Sequence, residues 1–169
     1  MESMRTRRMI KFILVPILLL VLAFTASTVL ANGATSSAPT PVRFATFNAS
    51  LNRFSAGQLI TDLSTPGDTQ AQAVAEIIQR TRPDVLLINE FDFDEGGIAA
   101  HLFQENYLSV PQNGADPIDY PYHFVAPSNT GIPSGFDLDN DGSVGGPNDA
   151  FGFGFFPGQF GMAVYSRYP

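Results

Sequence analysis

The chain has no cysteine and no tryptophan among its 169 residues. The first absence excludes a disulfide scaffold, a thiolate nucleophile and a thiolate metal centre. Aromatic content rests mainly on 15 Phe. Lysine does not occur beyond residue 31, where five Arg stand against 15 Asp and Glu, a net charge of about −10. A surface of that sign repels phosphate backbones at long range. If such a protein handles phosphate, a bound cation has to invert the local field. The length suffices for one domain with its own core, or for part of a larger one.

What is present begins with a targeting pattern. Arg5, Arg7, Arg8 and Lys11 precede an uncharged, Leu/Val/Ile-rich stretch, and "VLA" at residues 29–31 offers small residues at both key cleavage positions. Residues 1–31 read as a secretory signal peptide, cleaved after Ala31. The competing reading is a retained anchor, because the uncharged stretch 12–31 is 20 residues and long enough to span a bilayer. Pro16 and the Thr/Ser-rich end favour cleavage, which places the protein outside the cytoplasm without stable membrane insertion. "TRRMIK" resembles a twin-arginine signal, but the very apolar core points to the general secretory route. Residues 32–41, "NGATSSAPTP", form a polar linker.

From residue 42 the pattern is α/β. "VRFATFN" alternates apolar and polar and predicts a first strand. "TQAQAVAEIIQRTRPD" predicts a helix. Asp68 or Thr69 caps it, Ala71, Val74, Ala75, Ile77 and Ile78 form its apolar face, and Pro83 stops it. "DVLLINE" predicts a strand buried on both faces. "GGIAAHLFQENYL" reads as a short helix, "YPYHFVAP" as a third strand, residues 129–160 as a long Gly/Asp/Phe loop, and "GMAVYSRYP" as a last strand. Which strands pair is not determined by the sequence.

Asn48 ends the first strand and Glu90 ends the second. Ligands in open α/β sheets collect outside the carboxyl ends of strands. An amide and a carboxylate at one rim suit a hard cation such as Mg²⁺, which takes one or two protein oxygens and completes its shell with water and substrate phosphate. On residue type alone, a turn-forming Asn and a solvated edge Glu account for the same two positions.

"VRFATFNAS", "AEIIQRTRPDVLLINEFD" and "FGMAVYSRYP" together resemble the N-terminal half of the endonuclease/exonuclease/phosphatase superfamily, the DNase I-like fold. The resemblance covers about residues 42–92 and 161–169. Asn48 matches the Asn that ends the family's first strand. "RPDVLLINE" matches the helix-to-strand pattern that leads into the metal-binding Glu, with Asn89 where Gln is usual. The resemblance implies an α/β sandwich of two packed mixed sheets with outer helices, residues 42–169 forming its N-terminal part. It implies a phosphoesterase dependent on Mg²⁺ (or Mn²⁺) and expected to be incomplete in this chain, truncated at its C-terminal side, with Asn48 and Glu90 as metal-site and catalytic residues. The family's His–Asp and Asp–Asn groups, which activate and orient water, belong to its second half and have no match here. His101 and His123 fit no catalytic motif. A chain of this extent is expected to leave one face of its sheet without its partner sheet. The substrate class is a phosphate ester, and nucleic acid is disfavoured by the acidic charge; oligomeric state is not readable.

A second metal candidate is "FDLDNDGSVGGPND". Asp137, Asp139 and Asp141 stand at positions 1, 3 and 5 of a D-x-D-x-D-G calcium loop, with Gly142 at position 6. Position 12 is Asn148 rather than Glu, and Gly146 and Pro147 exclude a flanking helix of the usual kind. The competing reading is a solvated acidic turn. Three carboxylates in five residues repel one another without a cation, which favours a structural Ca²⁺ loop. The alternative function is therefore a secreted Ca²⁺-binding module without catalysis. "FGFGFFPGQF" reads as a Phe-rich plug over the sheet edge in preference to a substrate-facing loop, and "APSNTGIPSG" offers hydroxyl and amide donors near the rim.

Overall fold

Two apolar strands joined by an amphipathic helix set the architecture. The computed structural model describes residues 39–169. Along it run β1 (Phe44–Leu51), α1 (Gln58–Leu63), α2 (Thr69–Thr81), β2 (Val85–Phe91) and α3 (Ile98–Phe103). A π-helical turn (Gln104–Leu108) extends α3, and β3 (Tyr122–Val125), a 3-10 turn (Pro147–Asp149) and β4 (Met162–Ser166) complete the chain. The four strands form one sheet in the order β1-β2-β4-β3. β1 and β2 are parallel neighbours across the α2 crossover. The other two pairs are antiparallel, so the sheet is mixed. The expected signal peptide (residues 1–31) and most of the expected linker lie outside the described residues. Among those described, no helix is long and apolar enough to cross a membrane.

Helix α2 forms where its caps dictate. The Asp68 carboxylate accepts the Ala71 amide at 2.7 Å, satisfying one of the free donors of the first turn. At the other end Arg82 turns left-handed, its amide bonded to the Ile78 carbonyl, and Pro83 follows. Ala71, Val74, Ala75 and Ile78 are buried against the sheet. Ile77, expected on that face, is 48% exposed because it lies at the edge of the apolar stripe. Glu76 and Arg80 pair at 2.8 Å across one turn, as their i,i+4 spacing predicts.

The sheet is covered on one face only, which corrects the expectation that β2 is buried on both. Leu86 and Ile88 point into the core while Val85 and Leu87 stay half-buried. The physical reason is the pleat: successive side chains alternate, and the helices pack on one side. Phe44, Phe124 and Met162 are exposed on the other. β3 is also shorter than expected, because Tyr120 leaves the strand path for the core, where its hydroxyl donates to the Pro83 carbonyl at 2.8 Å. Tyr165 and Tyr107 are likewise buried with hydroxyls bonded to backbone carbonyls. Burial pushes all three phenols above their ordinary value, so each remains a neutral donor.

The long segment before β4 folds back on itself. Gly131 (φ +67°) lies so close to Phe156 that a Cβ there would sit 1.8 Å from its carbonyl oxygen. The plug expectation does not hold for Phe151, Phe153 and Phe155. Their rings are exposed, because the glycines between them keep the backbone rather than the side chains against the fold.

Candidate active site

The carboxyl ends of β1 and β2 lie side by side, with Asn48 in register with Asn89. Beyond that pair the register shifts to Leu51 opposite Phe91, so β1 carries one extra residue there. Ser50 in the bulge and Glu90 at the strand end both have positive φ, +49° and +57°. Neither residue type adopts this region readily, and such backbone collects at functional sites. The consequence is directional. Strict alternation after Leu86 and Ile88 would send Glu90 into the core. The left-handed turn brings its carboxylate to the rim with the Asn48 side chain instead.

There the carboxylate is held at both oxygens. Asn48 Nδ2 donates to Oε1 at 2.7 Å. Ser50 Oγ and Asn52 Nδ2 donate to Oε2 at 3.3 and 3.2 Å. Asn48 is itself oriented, since its Oδ1 accepts the Ser50 amide at 3.1 Å. Glu90 is half-buried and has no ion-pair partner among the described residues. The arrangement is a set of neutral oxygen and amide groups around one fixed, unpaired carboxylate. That donor set fits a hard divalent cation keeping several waters.

The acidic residues after Glu90 do other work. Asp92 is buried and accepts the amides of Arg53 (2.7 Å) and Phe160 (3.1 Å). Burial pushes its pKa up, against those hydrogen bonds. The Asp94 carboxylate accepts the amides of Ile98 and Ala99 at the start of α3. Arg53 is itself buried, its guanidinium 2.5 Å from Asp62 and 3.1 Å from Asp68. Gln70 bonds the Ser50 carbonyl at 2.7 Å and receives a bond from Arg53, tying α2 to the bulge.

Both sequence-predicted rim residues thus converge. Ser50 and Asn52, which complete the cradle, were not singled out; "NASLN" carries a polar residue at every second position, and that alternation is the signal for them. His101 of α3 pairs with Glu105 of the following π-helical turn at 3.2 Å, and His123 lies beside His101 and Tyr165. Neither hydrogen-bonds to Glu90.

The calcium candidate closes differently from its linear motif. Carboxylate oxygens of Asp137, Asp139 and Asp149 lie within 4.8 Å of one another. Asp141 instead accepts the Ser143 amide at 2.8 Å, while its own amide donates to Asp137 and Asp139. Asp149 stands one residue past position 12 of the linear motif, and it closes the 3-10 turn Pro147–Asp149. The amides of Leu138 and Gly145 hold its pKa below the ordinary carboxylate value.

A family model described as Endonuclease/Exonuclease/phosphatase family matches residues 45–169. No curated protein and no solved structure matches the chain.

Proposed function

The chain belongs to the endonuclease/exonuclease/phosphatase family, and we propose that it is an exported phosphoesterase whose divalent cation, Mg²⁺ or Mn²⁺, is held at Glu90. The family supports a phosphoesterase-like hydrolase, and the mixed α/β sheet is consistent with part of the DNase I-like fold. The observation that carries the metal assignment is the fixed Glu90 carboxylate, hydrogen-bonded by three side chains and neutralised by none. A cation bound there supplies Lewis acidity that polarises a phosphoryl oxygen and steadies the leaving oxygen. Asn48, Ser50 and Asn52 act by fixing both Glu90 oxygens toward the rim, so little reorganisation remains when phosphate arrives. Asn48 is as much a positioning residue as a ligand, since its Nδ2 holds Glu90 and its Oδ1 is engaged by the Ser50 amide.

The test is hydrolysis of bis(4-nitrophenyl) phosphate by the complete secreted protein before and after EDTA. Activity should vanish on chelation and return with Mg²⁺ or Mn²⁺. A rate indifferent to EDTA sinks the assignment. The intact mass of the same material should begin at Asn32; retention of residues 1–31 would show an anchor instead.

A second metal role is supported by the Asp137–Asp139–Asp149 cluster: a structural Ca²⁺ loop. All three are short carboxylates on one loop, and weak extracellular calcium sites bind at about 10⁻⁴–10⁻³ M. Calcium at roughly 100 times such a dissociation constant stabilises the folded state by about 2.7 kcal/mol. Ca²⁺ should therefore raise the Tm by several degrees in the native protein and not in Asp139→Asn. Equal shifts in both proteins would remove the loop from consideration.

A further inference from the structure

One side chain of α2 holds the left-handed Ser50 in place. A serine at φ +49° is strained, and such a residue persists only where its surroundings over-determine it. Two rigid peptide planes meet at the Ser50 Cα, one carrying the Ala49 carbonyl and the other the Ser50 carbonyl. Their relative rotation is the conformation of Ser50. Gln70, in the first turn of α2, donates from Nε2 to the Ser50 carbonyl at 2.7 Å and to the Ala49 carbonyl at 3.4 Å. A side-chain amide has two N–H donors, so one group spans both planes. Its own orientation is fixed in turn, since Arg53 Nη1 donates to Gln70 Oε1 at 3.2 Å and leaves the nitrogen facing the carbonyls. The chain after the bulge is clasped separately. Asp92 accepts the Arg53 amide at 2.7 Å, and the buried Gln159 donates from Nε2 to the Arg53 carbonyl at 2.6 Å.

What Ser50 controls lies at Glu90. The Ser50 amide donates to Asn48 Oδ1 at 3.1 Å, and Asn48 Nδ2 donates to Glu90 Oε1 at 2.7 Å. Ser50 Oγ donates to Glu90 Oε2 at 3.3 Å. Both carboxylate oxygens therefore depend on the Ser50 conformation, one through Asn48 and one directly. We propose that Gln70 is a positioning residue for the metal site: by locking Ser50 in its left-handed turn it holds Asn48 and Glu90 ready for a divalent cation and tightens the binding of that cation. This rests on the reading of Glu90 as the metal ligand. Gln70 acts at a distance, because it hydrogen-bonds to neither Asn48 nor Glu90. Asn52, which donates to Glu90 Oε2 at 3.2 Å, stands next to the separately clasped Arg53 and keeps its bond when Gln70 is cut.

The test is Mn²⁺ binding to the complete secreted protein, with free Mn²⁺ counted by its electron paramagnetic resonance signal. The site read is the binding that Glu90→Gln removes. Gln70→Ala should raise its dissociation constant about tenfold, the low end for groups that orient a metal ligand, at unchanged stoichiometry. Alanine suits a helix, and Arg53 keeps Asp62, Asp68 and the Asn52 carbonyl, so the Tm should hold. A merely structural role gives the opposite split, with fewer sites and a lower Tm at an unchanged constant, and that result overturns the proposal. So does a constant and stoichiometry both unchanged. In an Asn48→Ala background Gln70→Ala should add less than about threefold, because the main route to Glu90 is already cut; a full additive loss overturns the route through Ser50. A metal-free measurement separates the lock from the metal reading. Exchange of the Ser50 amide, followed by NMR in protein stripped of metal, should be several-fold faster in Gln70→Ala, and an unchanged rate overturns the lock. Faster exchange in a protein where Glu90→Gln removes no Mn²⁺ binding places the failure on Glu90 as ligand and not on the lock.

Discussion

Glu90→Gln is expected to lower metal-dependent hydrolysis by at least about 10²-fold, the scale on which groups that hold or fix a catalytic metal act. The substitution keeps the side-chain length and one carbonyl oxygen, so Asn48 Nδ2 can still donate at the 2.7 Å position. What it removes is the negative charge, and a hard cation bound by few protein groups depends on that charge. The new amide nitrogen faces Asn52 Nδ2, a donor against a donor, while the Ser50 hydroxyl can rotate to accept. One hydrogen bond at a half-exposed rim is worth about 1 kcal/mol, so folding should be nearly intact. Asn48→Ala separates ligation from positioning. A positioning residue should cost roughly 10–100-fold, the range for groups that orient a metal ligand, and should raise the Mg²⁺ concentration needed for half-maximal rate. Initial rates of bis(4-nitrophenyl) phosphate hydrolysis across a Mg²⁺ titration, with Tm in parallel, decide the matter. Glu90→Gln with near-native rates would remove Glu90 from the site.

How much of this was legible beforehand differs by element. Helix α2 could be read almost to the residue, because cap, apolar stripe and stopping proline are all local. The convergence of Asn48 and Glu90 was legible through the family resemblance, since register between strands 40 residues apart is fixed by the sheet and not by either segment. The bulge at Ser50 and the left-handed Glu90 were not legible. Neither residue type announces positive φ, and the hydrogen bonds that hold it, from Asn48, Asn52 and Gln70, are tertiary. The same holds for the buried amides. Gln79 Nε2 bonds the carbonyls of Leu108 and Val110, and Gln104 Nε2 that of Ile118, each satisfying backbone that no sequence pattern marks as short of a partner. "LNRFSAG" gave no hint that its arginine is interior, because the two aspartates that make burial tolerable lie 9 and 15 residues away.

That arginine carries the largest stability effect expected in the chain. Arg53→Met should destabilise the fold by about 3 kcal/mol, the low end for breaking a buried ion pair from one side. The low end applies because Asp62 and Asp68 are partly exposed, 28% and 21%, and water can recover some of their solvation. The side chain itself is only 9% exposed and gathers α1, the cap of α2 and the bulge. Asp68 is the α2 cap, so releasing it from Arg53 also loosens the helix start. Methionine fills much of the volume, which leaves the charge and hydrogen bonds as the main loss. Urea unfolding should show the midpoint falling with little change in slope. Adding Asp62→Asn to Arg53→Met should recover part of the loss, because one uncompensated charge is gone. Two losses that simply add would mean the pair is not coupled. A loss under about 1 kcal/mol for Arg53→Met would place this pair with exposed salt bridges. The Asn52–Arg53 segment would then have to be held under Glu90 by the Asp92 and Gln159 clasps on its backbone alone.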